Sequence, residues 1–335
     1  MRRVAGFPCA LLFVAALTST GAWALSARDL GVVINDSDDY SVAIGRYFIA
    51  KRGIPPANVV HVSIPRGTKV MDGPQFASAS AAVRDHMPGA VQALALAWTE
   101  PYRVGCMSVT AAFAYGFDAR QCAQGCRTTP RTPYFDSDSR LPFSELGIRP
   151  AMLLAGSSVK AARFTIDSGI EAERSRLDGT AYLLSTSDPA RNVRAAGFPA
   201  ALRLADGHVK VDIRHADELR DVNDVLFYFT GRARVGALAT LRFHAGAIAD
   251  HLTSNGGMLT DSPQMSSLAW LDAGATGSYG TVVEPCGFPQ KFPQPAIVMR
   301  RYLAGETLIE AYWKSVEMPA QGVFIGEPLA RIAPH

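Results

Sequence analysis

The sequence predicts an α/β fold: a three-layer α/β/α arrangement with a mostly parallel sheet. Three observations carry that expectation. Short apolar runs alternate with stretches of helical periodicity along the first hundred residues. The same alternation returns after residue 225. The composition, 48% hydrophobic and 19% charged over 335 residues, is that of a globular chain with enough apolar material for a full core.

The first 24 residues stand apart. "MRR" is basic, "CALLFVAAL" is apolar, and Ala22-Trp23-Ala24 has the small-x-small form of a signal-peptidase site. The apolar run is shorter than the ~20 residues a membrane span requires. A cleaved signal over 1–24 is therefore expected rather than an anchor, with the mature chain starting at Leu25. Cys9 lies inside the apolar run and not at the cleavage boundary, which argues against a lipoprotein. No later stretch has the length and apolarity of a membrane span.

The mature chain, 25–335, reads as one α/β domain. "DLGVVINDSD" (29–38) is a buried strand ending in a polar loop, and "SVAIGRYFIAKRGI" (41–54) has helical periodicity closed by Gly53 and Pro55. A strand at 58–64, a helix at 73–87 and a strand at 91–98 complete a strand–helix rhythm that calls for crossover connections. Residues 102–150, rich in turns and bearing three cysteines, read as a long surface insertion. Beyond it the pattern predicts strands at 151–159 and 180–186 and helices at 168–177 and 189–205, the last broken at Gly197. Residues 209–216 read as short strand or loop. Strands follow at 225–231, 246–250, 277–282 and 322–326, with helices at 265–275, 295–305 and 307–316.

Charge and motifs narrow the function. Loss of Arg2 and Arg3 leaves 31 basic against 30 acidic residues, a net +1 that gives no electrostatic case for nucleic acid. No Walker loop, GxGxxG or GxSxG is present, so no nucleotide cofactor or serine-hydrolase elbow is expected. The four remaining cysteines, Cys106, Cys122, Cys126 and Cys286, form an even set that favours two disulfides in an exported chain. Cys122-x3-Cys126 is compatible with zinc, but no histidine stands near it, and no metal is expected. Cys286 at a strand exit would otherwise be an exposed thiol, so it is expected to pair within 106–126. "FDSDS" (135–139) offers oxygen ligands but lacks the rest of a calcium loop and reads as a solvated turn.

Parallel sheets bind ligands beyond the carboxyl ends of their strands. Several such ends carry polar residues: Asn35 and Asp36, Glu100, Arg232, His251, Glu284 and Glu327. Individually each is compatible with an ordinary turn or strand exit. Taken together in one parallel sheet they would share a mouth. His251 is a candidate general base, with Ser254 three residues on as a nucleophile and Asp250, Asp261 and Asp272 as possible orienting groups. The structural alternative is a histidine hydrogen-bonded to backbone at a strand exit. "VLFYFTG" (225–231) and "GAIAD" (246–250) are consecutive strands, which places Arg232 and His251 on neighbours.

"GVVINDSDDYSVAIGRYFIAKRGIPPANVVHVSIP" (31–65), "GAIADHLTS", "GATGSYGTVVEP" and "GEPL" together resemble an uncharacterised secreted bacterial family found alongside exosortase systems. The match spans nearly the whole mature chain. It departs where Glu327 stands at a usual Asp and where "TGRARVGAL" replaces an aromatic, Gly-rich strand exit. The C-terminal half is similar, at greater distance, to the caspase-like fold of gingipain-type cysteine peptidases. That resemblance implies a caspase-like topology. It places Arg232 at the catalytic His position and His251 near the nucleophile Cys. No thiol stands at either strand tip, so the peptidase chemistry is not implied.

The expected function is a secreted or periplasmic, non-peptidase domain. It would bind a peptide, protein or surface polymer in an exosortase-linked envelope process, without cofactor, nucleic acid or membrane span after signal cleavage. The alternative is a hydrolase of altered chemistry using His251 with Ser254 or an acidic residue. Under a third reading the strand tips are purely structural.

Overall fold

The apolar runs of the first hundred residues become strands, and the periodic stretches between them become helices capped as their sequences dictate. The computed structural model describes residues 24–122, 126–175, 179–205 and 209–332; residues 1–23, with most of the expected signal and Cys9, lie outside them. The first unit is β1 (Leu30–Asn35), α1 (Asp39–Arg52) and β2 (Val59–Val62). Asp38 caps α1 by accepting from the Tyr40 N–H, and Gly53 ends it in the left-handed conformation (φ 63°) that glycine adopts without strain. After β3 (Val70–Met71), α2 (Gly73–His86) opens with a reciprocal Asp72–Gln75 capping box and leads to β4 (Ala93–Leu96). Next come β5 (Arg103–Val104), β6 (Met107–Ser108), α3 (Val109–Tyr115), α4 (Pro142–Leu146), β7 (Ala151–Leu153) and α5 (Val159–Ala172). The second half contains β8 (Thr180–Ser185), α6 (Phe198–Ala205), β9 (Lys210–His215), β10 (Val225–Thr230) and β11 (Phe243–His251). It closes with α7 (Leu268–Ala273), β12 (Gly277–Thr281), α8 (Pro295–Leu303), α9 (Leu308–Ser315) and β13 (Gly322–Gly326).

Ten strands form one sheet in the order β2-β1-β4-β7-β13-β12-β11-β10-β8-β9; β3, β5 and β6 form a small second sheet. Alternate residues of each strand serve opposite faces. Val32, Ile34, Ala95, Leu183, Phe227 and Ile248 join a core with residues of α1, α5, α6, α8 and α9. On the other face Val33, Leu94, Leu96 and Ile325 pack with α2 and α3, while Tyr182, Tyr228 and Ala249 pack around Trp270 of α7. Helices thus cover both faces, giving the three α/β/α layers.

Eight of the nine strand pairings in the large sheet are parallel; β12–β13 alone is antiparallel. That one pairing reverses the sheet. β2, β1, β4, β7 and β13 run one way, and β12, β11, β10, β8 and β9 run the other. The carboxyl edge of the first half is the amino edge of the second. The common mouth expected for all the polar strand exits therefore does not exist.

Three local expectations change. The strand after the insertion is shorter and its helix begins earlier, because Ser158 caps α5 by accepting from the Ala161 N–H. The 102–150 stretch is no surface loop throughout: residues 109–114 of α3 are all buried, as is Tyr134. Asp136 and Asp138 of the "FDSDS" turn bind Arg300 and Arg301. The 209–216 stretch, read as short strand or loop, is a strand, the edge strand β9. The cysteines pair as Cys106–Cys122 and Cys126–Cys286, with Cα atoms 5.5 and 5.1 Å apart. No helix among the described residues is long and apolar enough to cross a membrane.

Glu327, wholly buried beyond β13, is held by the Arg52 guanidinium at the end of α1, whose Nε lies 3.0 Å from Oε1. Gly169 of α5 makes room for it: a Cβ there would sit 2.6 Å from Oε2. Removing one partner of a buried ion pair strands the other charge. Arg52→Ala is predicted to destabilise the fold by about 3–5 kcal/mol in urea unfolding. A loss under about 1 kcal/mol, the range of exposed pairs, would show that the interaction is not a buried one.

Candidate functional site

Chain order around β1 defines the site. The connection leaving β1 carries α1 over one face to β2, and the connection leaving β2 carries α2 over the other face to β4, on the far side of β1. Their divergence opens a crevice between the carboxyl ends of β1 and β4, the switch point at which open α/β sheets bind ligands. A cavity of about 300 Å³ lies there. Asn35, Asp38 and Tyr40 line it from the β1–α1 turn, Arg66 from the exit of β2, Thr99 and Glu100 from β4, and Gly156 and Ser157 from β7. Thr260 and Leu268 reach it from the segment between β11 and β12.

The lining divides into residues that build the crevice and residues with capacity to spare. Asn35 builds it. Its side-chain amide accepts from the Ile64 N–H at 2.9 Å and donates to the Ile64 carbonyl at 2.9 Å, extending the β1–β2 pairing past the strand ends. Thr99 exchanges hydrogen bonds with the Gly156 backbone at 3.0 and 3.1 Å and so clips β4 to β7. The Tyr40 hydroxyl donates to the Leu154 carbonyl at 2.9 Å, and burial pushes its pKa upward. Ser157 donates to Asp272 at 2.6 Å.

Two carboxylates are only half used. Asp38 Oδ1 accepts the capping bond from Tyr40 at 3.1 Å, and Glu100 Oε1 accepts from the Thr260 hydroxyl. Asp38 Oδ2 and Glu100 Oε2 accept no hydrogen bond from the described residues. Arg66, the one lining cation, is 3.6 Å from Asp39 in an exposed pair. The crevice thus offers more acceptors than donors. Asp36 points elsewhere: its carboxylate binds His61 Nδ1 at 2.6 Å on the surface.

Arg232, His251 and Glu284 leave the opposite edge of the sheet. Arg232 and His251 do come from neighbouring strands, with Thr230 in register with His251. The Arg232 guanidinium is taken by Asp217, whose pKa it holds down at about 2. That carboxylate also accepts from the backbone and hydroxyl of Ser187, each at 2.8 Å. Glu284, exposed, accepts from the Cys286 N–H at 2.8 Å.

His251 is not placed as a base. Its Nδ1 accepts from the Trp270 indole at 2.9 Å and its Nε2 donates to the Met265 carbonyl at 3.1 Å. Neither lone pair nor proton is left for a substrate, and neither Ser254, Asp261 nor Asp272 is among its partners. It is 1% exposed, and desolvation pushes its pKa down to about 3, so it is a neutral core histidine. Without a base, Ser254 has no activating group. Asp250 is spent as well: fully buried, it pairs with Arg194 at 2.5 Å. No group of three or more His, Cys, Asp or Glu among the described residues could hold a metal ion.

No family model matches the chain, and no curated protein or solved structure matches it.

The missed residues, Asp38, Tyr40, Thr99, Arg66 and Ser157, all lie within a few residues of strand exits. The DSDD run at 36–39 was a legible helix-cap signal. The spatial order of β2, β1 and β4 that brings them together is not written in any local pattern.

The His251 assignment has a pH signature. Its folded pKa lies below the unfolded value of 6.5, so its stabilisation is full above 6.5 and is lost as the pH falls toward 3. His251→Gln abolishes that titration and leaves the rest of the protein's titration common to both. The stability advantage of the wild type over His251→Gln is predicted to shrink by up to about 1.4 kcal/mol per pH unit below 6.5 in urea unfolding. A pH-independent difference would mean that His251 can be protonated in the folded protein.

Proposed function

We propose that the protein is an exported, non-peptidase binding domain that holds a polar polymer segment in the β1/β4 crevice. The observation that carries this reading is the pair of half-used carboxylates, Asp38 and Glu100, facing a 300 Å³ cavity at the switch point. An excess of acceptors over donors selects ligands rich in hydroxyl or ammonium groups, as an amino sugar polymer or a basic peptide presents. The volume admits a short segment and not a folded partner. Export is supported by the n-region, apolar run and Ala-Trp-Ala order of 1–24, and by two disulfides, which persist in oxidising compartments. The expected kinship with an exosortase-associated family, and with a caspase-like fold that has lost its dyad, is compatible with a binding role. All four cysteines of the described residues are in disulfides, so none of them offers a thiolate. The hydrolase alternative rested on His251 as base, and its ring nitrogens are occupied.

Calorimetric titration with a glucosamine hexamer, its N-acetylated counterpart and tri-lysine tests this. The glucosamine hexamer is predicted to bind the wild type and to bind an Asp38→Asn/Glu100→Gln variant at least about tenfold more weakly, as expected when hydrogen bonds to charged groups are removed. Binding by tri-lysine alone would reassign the ligand to peptide. No binding of any probe, or binding undiminished in the variant, rejects the crevice as the site.

A further inference from the structure

Glu310 is a buried carboxylate without an ion-pair partner among the described residues. It is 1% exposed, at the third position of α9, where Oε2 accepts from the Thr307 N–H at 3.0 Å and the Thr307 hydroxyl at 2.5 Å. That is a capping box, and a capping box satisfies a helix end without needing to be buried. The same oxygen accepts one more bond, from the backbone nitrogen of Leu25, 285 residues away in sequence and 3.1 Å away in space. The Leu25 side chain is itself 5% exposed and belongs to the main core.

The charges around Glu310 do not balance. Lys314, one turn on, gives its ammonium to Glu306 at 3.0 Å. Arg301 is shared among Asp136, Asp138 and Glu306, and Arg300 binds Asp136. The cations Arg300, Arg301 and Lys314 therefore face the carboxylates Asp136, Asp138, Glu306 and Glu310. Among the described residues these are three cations against four carboxylates, and Glu310, whose pKa burial pushes up, is the one carboxylate that no ion pair holds. The Tyr134 phenol, also near it, is held neutral by burial. Buried charges are ordinarily paired.

We propose that Glu310 is the receptor for the α-ammonium group that cleavage after Ala24 creates at Leu25. The inference rests on the export reading of residues 1–24 made above. Hydrolysis of the Ala24–Leu25 amide adds water across the bond: the carboxylate departs with the leader, and the nitrogen becomes an ammonium at neutral pH. The nitrogen already lies at hydrogen-bond distance from Oε2. Cleavage changes one amide donor into three donors carrying a full positive charge, and it supplies the missing cation. Removal of the leader and closure of the core are thereby coupled: the processed chain is the more stable one, and the leader, while attached, withholds that stability. The same carboxylate fixes the start of α9, so the effect reaches the helix that packs on β13 through Trp313 and Phe324.

The test compares two purified chains of otherwise identical sequence: one beginning at Leu25, the other keeping Ala24 behind a short Gly-Ser leader. Each is made with Glu310 and with Glu310→Gln, and urea unfolding is followed at pH 6.5 and at pH 10. At pH 6.5 the Leu25 chain is expected to exceed the extended chain by at least about tenfold in its folding equilibrium, the effect of one hydrogen bond between charged groups. The advantage should vanish in the Glu310→Gln pair. It should also fade as the pH rises through the α-amino pKa, which an ion pair holds above its ordinary value of about 8. Equal stability of the two chains at pH 6.5 overturns the proposal. So does an advantage that survives Glu310→Gln or is unchanged at pH 10. Should Glu310→Gln fail to fold, the pH dependence of the two Glu310 chains decides alone. Intact mass of the protein recovered after export separates the two levels. A leader retained on the membrane removes the export reading and the proposal together, whereas a cleaved chain that starts elsewhere than Leu25, or a Leu25 start without the stability difference, removes the proposal only.

Discussion

Everything about the location of sites in this protein depends on the antiparallel seam between β12 and β13. Gly277 faces Gly326 at one end of that seam and Thr281 faces Gly322 at the other. Its glycines are there for room. A Cβ on Gly322 would overlap the Tyr279 hydroxyl, and one on Gly280 would lie 2.4 Å from the Gly257 nitrogen. The segment after β11 can therefore lie directly on β12 and cross from one edge of the sheet to the other. It delivers Thr260 and Leu268 to the β1/β4 crevice, although His251, where it starts, leaves the opposite edge. The seam separates two carboxyl edges, and the crossing segment links them.

The two edges differ in how they treat charge. At the second edge the ionisable groups leaving β10 and β11 are matched inward: Asp250 to Arg194, Arg232 to Asp217, and His251 held neutral between an indole and a carbonyl. Arg194 adds bonds to the Thr230 and Pro293 carbonyls at 2.9 and 3.2 Å. Such a network fixes the ends of β10 and β11, and its groups are committed before any ligand arrives. At the first edge the neutral groups, Asn35 and Thr99, do the bracing, and the carboxylates keep an oxygen free. Rigid bracing by satisfied side chains beneath unsatisfied ones is the arrangement expected of a binding site.

The strands were legible because they are short apolar runs bounded by turn residues, and the first helix because its apolar residues recur every three to four positions until Gly53 ends it. Strand direction was not. A run such as GVFIG has the same apolar character whichever way it runs, and the reversal at β13 follows from where α9 delivers the chain. Hence Asn35 and Glu100 were found together with Arg232 and His251, although the sheet divides them. The histidine misled for a related reason. Sequence shows a polar side chain at a strand tip but not the Trp270 indole that folds over it. Helix α3 was lost in the turn-rich region around it, since seven residues of mixed small and aromatic character carry little periodic signal.

The disulfides close loops of very different span, 16 residues for Cys106–Cys122 and 160 for Cys126–Cys286. In chain order Cys106 and Cys122, the first two of these four cysteines, are partners, and so are the last two, Cys126 and Cys286, so neither loop interlocks with the other. Between Cys126 and Cys286 lie β7 through β12, while β13, the strand that joins the two halves of the sheet, follows both cysteines. The long-range bond therefore ties the insertion to the far half of the sheet independently of the strand that completes it.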